Sequence, residues 1–234
     1  ALFMFSTRII SIDGRNIRIP YPDIYNNFAS QIITSLQDIV LPEYVRVILT
    51  GPGQALSAQI YISLMCGVII SIPLILWELT GFIKPGLYKN EIKLLRNLLV
   101  PASLLFFIGA VFALYIMVPM TMEFMYKYGV SLQAETYITI DVFVAFITFF
   151  ILAFGIAFQL PIIMWLTTRF GFISSTFWRD NWRYTLVLLV AIGAIITPDA
   201  SGITMWLITI PMMLLYFVGY VASRNVSSER KVET

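Results

Sequence analysis

The sequence predicts an all-α integral membrane protein that crosses the bilayer several times. Three observations carry that expectation. First, 59% of the 234 residues are hydrophobic and 12% are charged, with a mean hydropathy of +0.86. A soluble domain carries about 25% charged residues, so this chain has too little charge to cover a water-facing surface. Second, residues without Asp, Glu, Lys or Arg form long runs: 47–77, 97–122, 142–168, 184–198 and 200–223. A charge at a helix centre costs roughly 2.5–3.5 kcal/mol on insertion scales. Third, Lys and Arg collect between alternate runs, as they do on the inner side of a membrane protein.

A crossing of the hydrocarbon core needs about 20 apolar residues. Four runs reach that length, and 184–198, with 15 residues, does not. In the first run Thr50-Gly51-Pro52-Gly53 is a turn signal, which moves the helix start past it. The expected spans are about 57–79, 96–119, 141–168, 184–197 and 203–222. The last two are expected to be short, joined by a tight turn at Pro198 and Asp199. Two short helices would thin the bilayer and leave a concave flank for a partner. The opening ALFMF reads as the tail of a further spanning helix, which makes six spans in the intact chain and five complete ones here.

Three regions follow. Residues 1–56 hold the end of the first span and a long outer loop. Residues 57–222 form the transmembrane domain, and 223–234 a polar, disordered tail. Within the loop, SIDGRNIRIPYP alternates as a hairpin around Asp13-Gly14. Ile24, Phe28, Ile32, Leu36 and Ile39 repeat near helical spacing, which predicts an amphipathic helix over 24–41 at the outer interface. Segments 78–96, 169–183 and the tail hold ten of the fifteen basic residues. That places those segments and the C-terminus in the cytoplasm and makes the chain a multi-pass protein of the cell membrane.

Composition also excludes chemistry. A net charge of +2 argues against nucleic-acid binding. A single cysteine, Cys66, and no histidine exclude a disulfide framework, a multi-Cys zinc site and His-dependent nucleophilic catalysis. Asp141 and Asp199 could form an intramembrane protease pair, but both sit at span ends outside any GxGD context. No enzyme activity, metal or other cofactor is expected. The remaining classes are transport and assembly.

The segment after the first long run is the most informative. It reads Phe82-Ile-Lys-Pro85-Gly86-Leu87-Tyr88-Lys-Asn-Glu91. It resembles the Phe-x-x-Pro-(Ala/Gly)-Leu-Tyr-x-x-Glu loop of the C subunit of the twin-arginine protein translocase, the TatC family. Three further stretches resemble that family in order: Phe107 to Pro119, Ala153 to Pro161, and Ile196-Thr197-Pro198-Asp199 with Ile210-Pro211. The resemblance covers residues 50–222 and is weak over 1–25. It implies a receptor for signal peptides carrying paired arginines, acting with single-span TatA/TatB-type subunits in an oligomeric complex. Such a complex moves folded proteins across the membrane on the proton-motive force.

Specific residues follow from it. Glu91 offers a carboxylate for a two-pronged guanidinium contact; equally, Asn90-Glu91 opens a helix whose dipole favours the acid. Glu78 is a second carboxylate at the same depth or an exposed helix end. Phe82 and Tyr88 form an apolar wall beside the arginines or anchor the interface. Pro85 and Gly86 shape the loop, and Asp199 caps the next helix or marks the turn. Gln159 occupies a position that is commonly Glu in the family. It contacts a partner's span, or bonds internally to a neighbouring helix or a carbonyl freed by Pro161. Gly109 and Ala113 form a small-xxx-small packing face. The alternative is an ion-coupled secondary transporter, a class built from internal repeats and midplane ion sites; neither feature is evident here.

Overall fold

A computed structural model describes residues 5–12, 15–22, 27–42, 44–86, 89–131, 136–196 and 202–232. Of 5–12, 15–22, 89–90, 196 and 226–232 it describes the backbone alone. The order is β1 (Phe5–Ile12), β2 (Arg15–Pro22), α1 (Phe28–Val40), β3 (Arg46–Ile48) and α2 (Gln54–Ile83), which runs into a 3-10 turn at Lys84–Gly86. Then come α3 (Lys89–Asn97), α4 (Leu99–Phe112), a π-turn (Ala113–Met117) and α5 (Val118–Ser131). They are followed by β4 (Tyr137–Thr139), α6 (Ile140–Ala157), α7 (Leu160–Arg169), α8 (Ser175–Asp180), α9 (Trp182–Ile196) and α10 (Ile203–Val232).

Four apolar helical stretches are long enough to cross a membrane: Gln54–Gly86, Glu91–Ser131, Ile140–Arg169 and Ile203–Asn225. Their outward faces are greasy. Leu64, Ile70 and Leu74 on α2 are 60%, 67% and 66% exposed. Water would penalise such a surface, and hydrocarbon does not. The apolar stretch of α9, Trp182–Ile195, is shorter. The expectation of two short final spans therefore holds for α9 alone, because the apolar stretch of α10 has 23 residues. The helices also outrun the uncharged runs. Charged residues near the headgroups are good helix formers, so loss of hydrophobicity marks the membrane boundary and not the helix end. The tail shows the same effect: α10 continues to Val232 where a disordered segment was expected, since no Gly or Pro follows Gly219.

The chain divides into two compact units. The first comprises Ala1–Ile70 and Val118–Thr148. The expected hairpin is present: β1 and β2 pair antiparallel from Phe5↔Pro22 to Ile12↔Arg15. Phe5 is thus a strand residue and not the tail of a spanning helix, while residues 1–4 lie outside the described residues. The amphipathic helix is α1, and its buried stripe is Ala29, Ile33, Leu36 and Val40. Phe28 and Ile39, expected on that stripe, are exposed. The sequence offers apolar residues on two adjacent faces, and packing selects one. Asn27, 1% exposed, starts α1 by accepting from the Ser30 backbone N–H at 2.8 Å, and its side-chain amide donates to Gln59 Oε1 at 3.1 Å. One residue therefore caps α1 and ties it to α2. Downstream, β3 and β4 pair in parallel, Arg46↔Tyr137 to Ile48↔Thr139.

The second unit comprises Ser71–Met117 and Phe149–Thr234. Its core is aromatic rings set against glycines. A Cβ at Gly155 would stand 2.5 Å from the Phe106 ring, and one at Gly109 would stand 2.8 Å from the Phe154 carbonyl and from Phe158. Phe112 completes the cluster, with ring centroids 5.7 Å from Phe154 and 5.6 Å from Phe158. The expected small-residue face of α4 is therefore a packing face. Pro119 explains the π-turn before it: it lacks an N–H and crowds the carbonyl four residues back, and the widened turn relieves both. At the end of α7, Gly171 has φ +81°. Its N–H donates to Thr168 O at 3.1 Å and the Phe172 N–H to Thr167 O at 3.0 Å, the paired bonds of a Schellman stop.

Gly155→Ala is expected to lower stability by about 1–3 kcal/mol, the usual range for overpacking, because Phe106 is 2% exposed and has no room to withdraw. Thermal unfolding of the purified chain in detergent measures this. Adding Phe106→Leu should recover part of the loss, whereas an unchanged transition in Gly155→Ala alone would mean that the ring swings aside freely.

Candidate functional site

The motif Phe82 to Glu91 bridges α2 and α3. Residues 78–96 were expected as a loop, but Glu78 and Phe82 belong to the last turns of α2, and Lys93 and Arg96 to α3. Between α2 and α3 the described residues form the 3-10 turn Lys84–Gly86. Proline ends the helix by removing a donor and crowding the preceding turn; the 3-10 turn Lys84–Gly86 absorbs that end. Pro85 and Gly86 are exposed, as expected of residues that shape a turn. Leu87 and Tyr88 lie outside the described residues.

Glu91 stands in the first turn of α3, half-buried. There the helix dipole favours its charge, so the helix-start role is present in the geometry. Glu78 is exposed on α2. Phe82 is 86% exposed, more than any other large apolar side chain described. An isolated phenyl group held away from the core is available either to a ligand or to the membrane interface. Glu78, Phe82, Pro85, Gly86, Glu91 and Gln159 all belong to the second unit.

Sequence reasoning missed Trp77. Lys84 Nζ lies 5.5 Å and Arg96 Cζ 5.6 Å from the centre of its indole ring, within reach of cation–π attraction. The available signals were the spacing of seven between Trp77 and Lys84, which returns to the same helix face, and the position of Trp77 as the last residue of an uncharged run.

Gln159 lies at the break between α6 and α7. The Gln159 N–H donates to Ile156 O at 2.9 Å, so the helix tightens there, and Pro161 follows in the first turn of α7. The Gln159 side-chain amide donates to Ala102 O at 3.1 Å. This is the internal alternative to a partner contact, made to a neighbouring helix of its own chain. A carboxamide retains an acceptor and a second N–H beyond that bond.

A second aromatic group gathers where α8 meets α10. The Tyr216 hydroxyl donates to Trp178 O, and Trp178 Nε1 donates to Thr168 Oγ1 at 3.2 Å. Tyr216 is 2% exposed, and its bonded hydroxyl fastens α8 to the bundle. Beside it, the hydrogen bond from Arg179 to Asp180 raises the Arg179 pKa above its ordinary value. Pro198 and Asp199 lie outside the described residues, so the turn between α9 and α10 is not part of the described site.

Long apolar helices, broken at prolines and ending in basic and aromatic collars, define a polytopic α-helical membrane protein. Its most distinctive polar connection is the Pro85 turn and the start of α3. Residues 2–211 match the family described as Sec-independent protein translocase protein (TatC). A TatC protein of Cenarchaeum symbiosum is 40% identical over 230 residues, covering 98% of this chain and 87% of that protein. One of Aquifex aeolicus is 36% identical, covering 87% of each. A crystal structure of the twin-arginine translocase receptor TatC superposes with a TM-score of 0.77 at 34% identity, covering 86% of this chain and 88% of that one. The chain belongs to the TatC family.

Gln159→Leu removes the donor to Ala102 O. The isolated chain is expected to lose about 0.6 kcal/mol of stability, the average for hydrogen bonds between membrane helices, and at most about 1.7 kcal/mol. Unfolding in detergent reads this directly; stability equal to the unaltered chain would mean that the bond contributes nothing net.

Proposed function

We infer that this chain is the core subunit of a twin-arginine translocase and the receptor for its signal peptides, exporting folded proteins across the cell membrane on the proton-motive force. Its partners are twin-arginine signal peptides and single-span TatA/TatB-type subunits in an oligomeric complex. The observation that carries this reading is family membership together with the Phe82-to-Glu91 motif, which ends on a half-buried acid in the first turn of α3.

Glu91 recognises the arginine pair. Lys84, Lys93 and Arg96 make its surroundings basic, and a basic surface repels arginines unless a carboxylate supplies a local well. Phe82, projecting from the last turn of α2, covers the apolar side of the bound guanidinium, with Tyr88 as its companion. Glu78 is the second acid of the same site. Gln159 uses its remaining hydrogen-bond capacity on a polar residue of a partner's span, and Pro198 and Asp199 form the turn between the last two spans. The chain crosses the membrane with 78–96, 169–183 and the C-terminus in the cytoplasm and the loop before residue 57 outside.

Two measurements test this. Topology is read by cysteine labelling on a Cys66→Ser background: Asn90→Cys should be protected from an impermeant reagent in intact cells and react after lysis, and reaction in intact cells would reverse the orientation. For the receptor role, Glu91→Gln should weaken binding of a twin-arginine peptide roughly ten- to a hundred-fold, since hydrogen bonds to charged groups contribute about 1.5–3 kcal/mol. A twin-lysine peptide should lose less, because lysine makes no planar two-pronged contact. Equal losses for both peptides, read as a double-mutant cycle, would return Glu91 to a role in supporting the helix start.

A further inference from the structure

We propose that the cavity beside Trp77 is a binding site for the headgroup phosphate of an anionic phospholipid, held by Arg96, Lys93 and Lys84, with an acyl chain lying along α4. The cavity has a volume of about 640 Å³, and its wall includes Trp77, Lys93, Arg96, Asn97, Leu99 and Val100. No carboxylate lines it. Lys127 pairs with Glu123 and Arg179 with Asp180, and Lys84, Lys93 and Arg96 take part in neither ion pair. Lys84 and Arg96 instead lean over the Trp77 ring at 5.5 and 5.6 Å. Two cations thus stand over one indole, and Lys93 lines the cavity beside it.

The occupant follows from depth and shape. Trp77 closes an uncharged run, the position where aromatic residues sit at headgroup level. An anion is attracted, and basic pockets between membrane helices are suited to lipid phosphates. A soluble anion would leave the other wall unused. From the cavity, Val100, Leu104, Ile108 and Val111 continue along α4 at spacings of four, four and three, and are 67%, 56%, 55% and 55% exposed. That stripe is a path for an acyl chain leading directly from the phosphate into the hydrocarbon. Asn97 adds a neutral hydrogen-bonding group for the headgroup beyond the phosphate. The inference depends on α2 and α4 being membrane spans and not on the role of Glu91.

The test uses the full chain in phosphatidylcholine vesicles containing a trace of phosphatidylglycerol with a photoactivatable acyl chain. Crosslinks are mapped by peptide mass spectrometry. Labelling is expected on the Val100–Ile108 face of α4. The triple change Lys84→Gln, Lys93→Gln, Arg96→Gln should lower it about fivefold for each charge removed, as roughly 1 kcal/mol per near-surface cation implies, while labelling of α9 stays constant. The charge-conserving set Lys84→Arg, Lys93→Arg, Arg96→Lys should retain it. Three results would overturn the proposal: equal labelling of that face by the matching phosphatidylcholine probe, equal loss in the charge-conserving set, or displacement of the lipid by millimolar inorganic phosphate.

Discussion

In hydrocarbon no water is present to satisfy an N–H or C=O group, and each unpaired one costs several kcal/mol. The rest of this structure depends on that constraint. It makes the apolar segments helical, and it sets the cost of every proline placed within them. Pro119 is accommodated by a π-turn, and Pro161 by a break at Phe158 and Gln159. Pro73 and Pro211 sit inside unbroken helices. Several hydroxyl side chains within the spans obey the same constraint, although Thr148 Oγ1 on α6 is buried without a hydrogen-bond partner. Ser103 donates to Leu99 O, Thr209 to Met205 O and Ser223 to Gly219 O, each at 2.8 Å. These hydroxyls are satisfied by their own helix and place no polar demand on a lipid.

With the backbone satisfied locally, shape decides how helices associate. Lipid tails are as apolar as leucine, so burying one more leucine contributes little, and close contact contributes more. The second unit shows this in the rings of Phe106 and Phe158 and the Phe154 carbonyl seated against Gly155 and Gly109. Gly219 on α10 plays the same part for Met164 and Pro161 of α7. Where a polar group does cross between helices, it is a single directed bond: Gln159 to Ala102 O, or Tyr216 to Trp178 O. Such bonds set the register of packed helices more than they add stability.

Chemistry that can recognise charge is thereby driven to the span ends. The Pro85 turn keeps the connection between α2 and α3 short, so Phe82, Lys84 and Glu91 are carried on regular helix or a tight turn. An acid in the first turn of α3 and a basic cluster around Trp77 lie on the same two elements.

The sequence by itself determined the membrane class, the number of long apolar segments described here, the hairpin around residues 13–14 and the family, because each is written in local composition, period or contiguous motif. It also located Glu91 and Phe82 by motif, without the contacts they make. Tertiary structure decided the rest. Helix ends ran past the charge boundaries, because a helix stops at Pro85 or Gly171 and not where hydrophobicity falls. Among the apolar faces of α1, packing buried Ala29 and Ile33 and left Phe28 and Ile39 exposed, a choice that periodicity alone does not make. Gln159 acquired Ala102 as its partner from a helix 57 residues away in sequence. Arg96 of α3 joined Trp77 only in the folded chain, whereas Lys84 lies on the same face as Trp77 by its spacing of seven. Such contacts depend on the meeting of distant segments, and no local pattern encodes them.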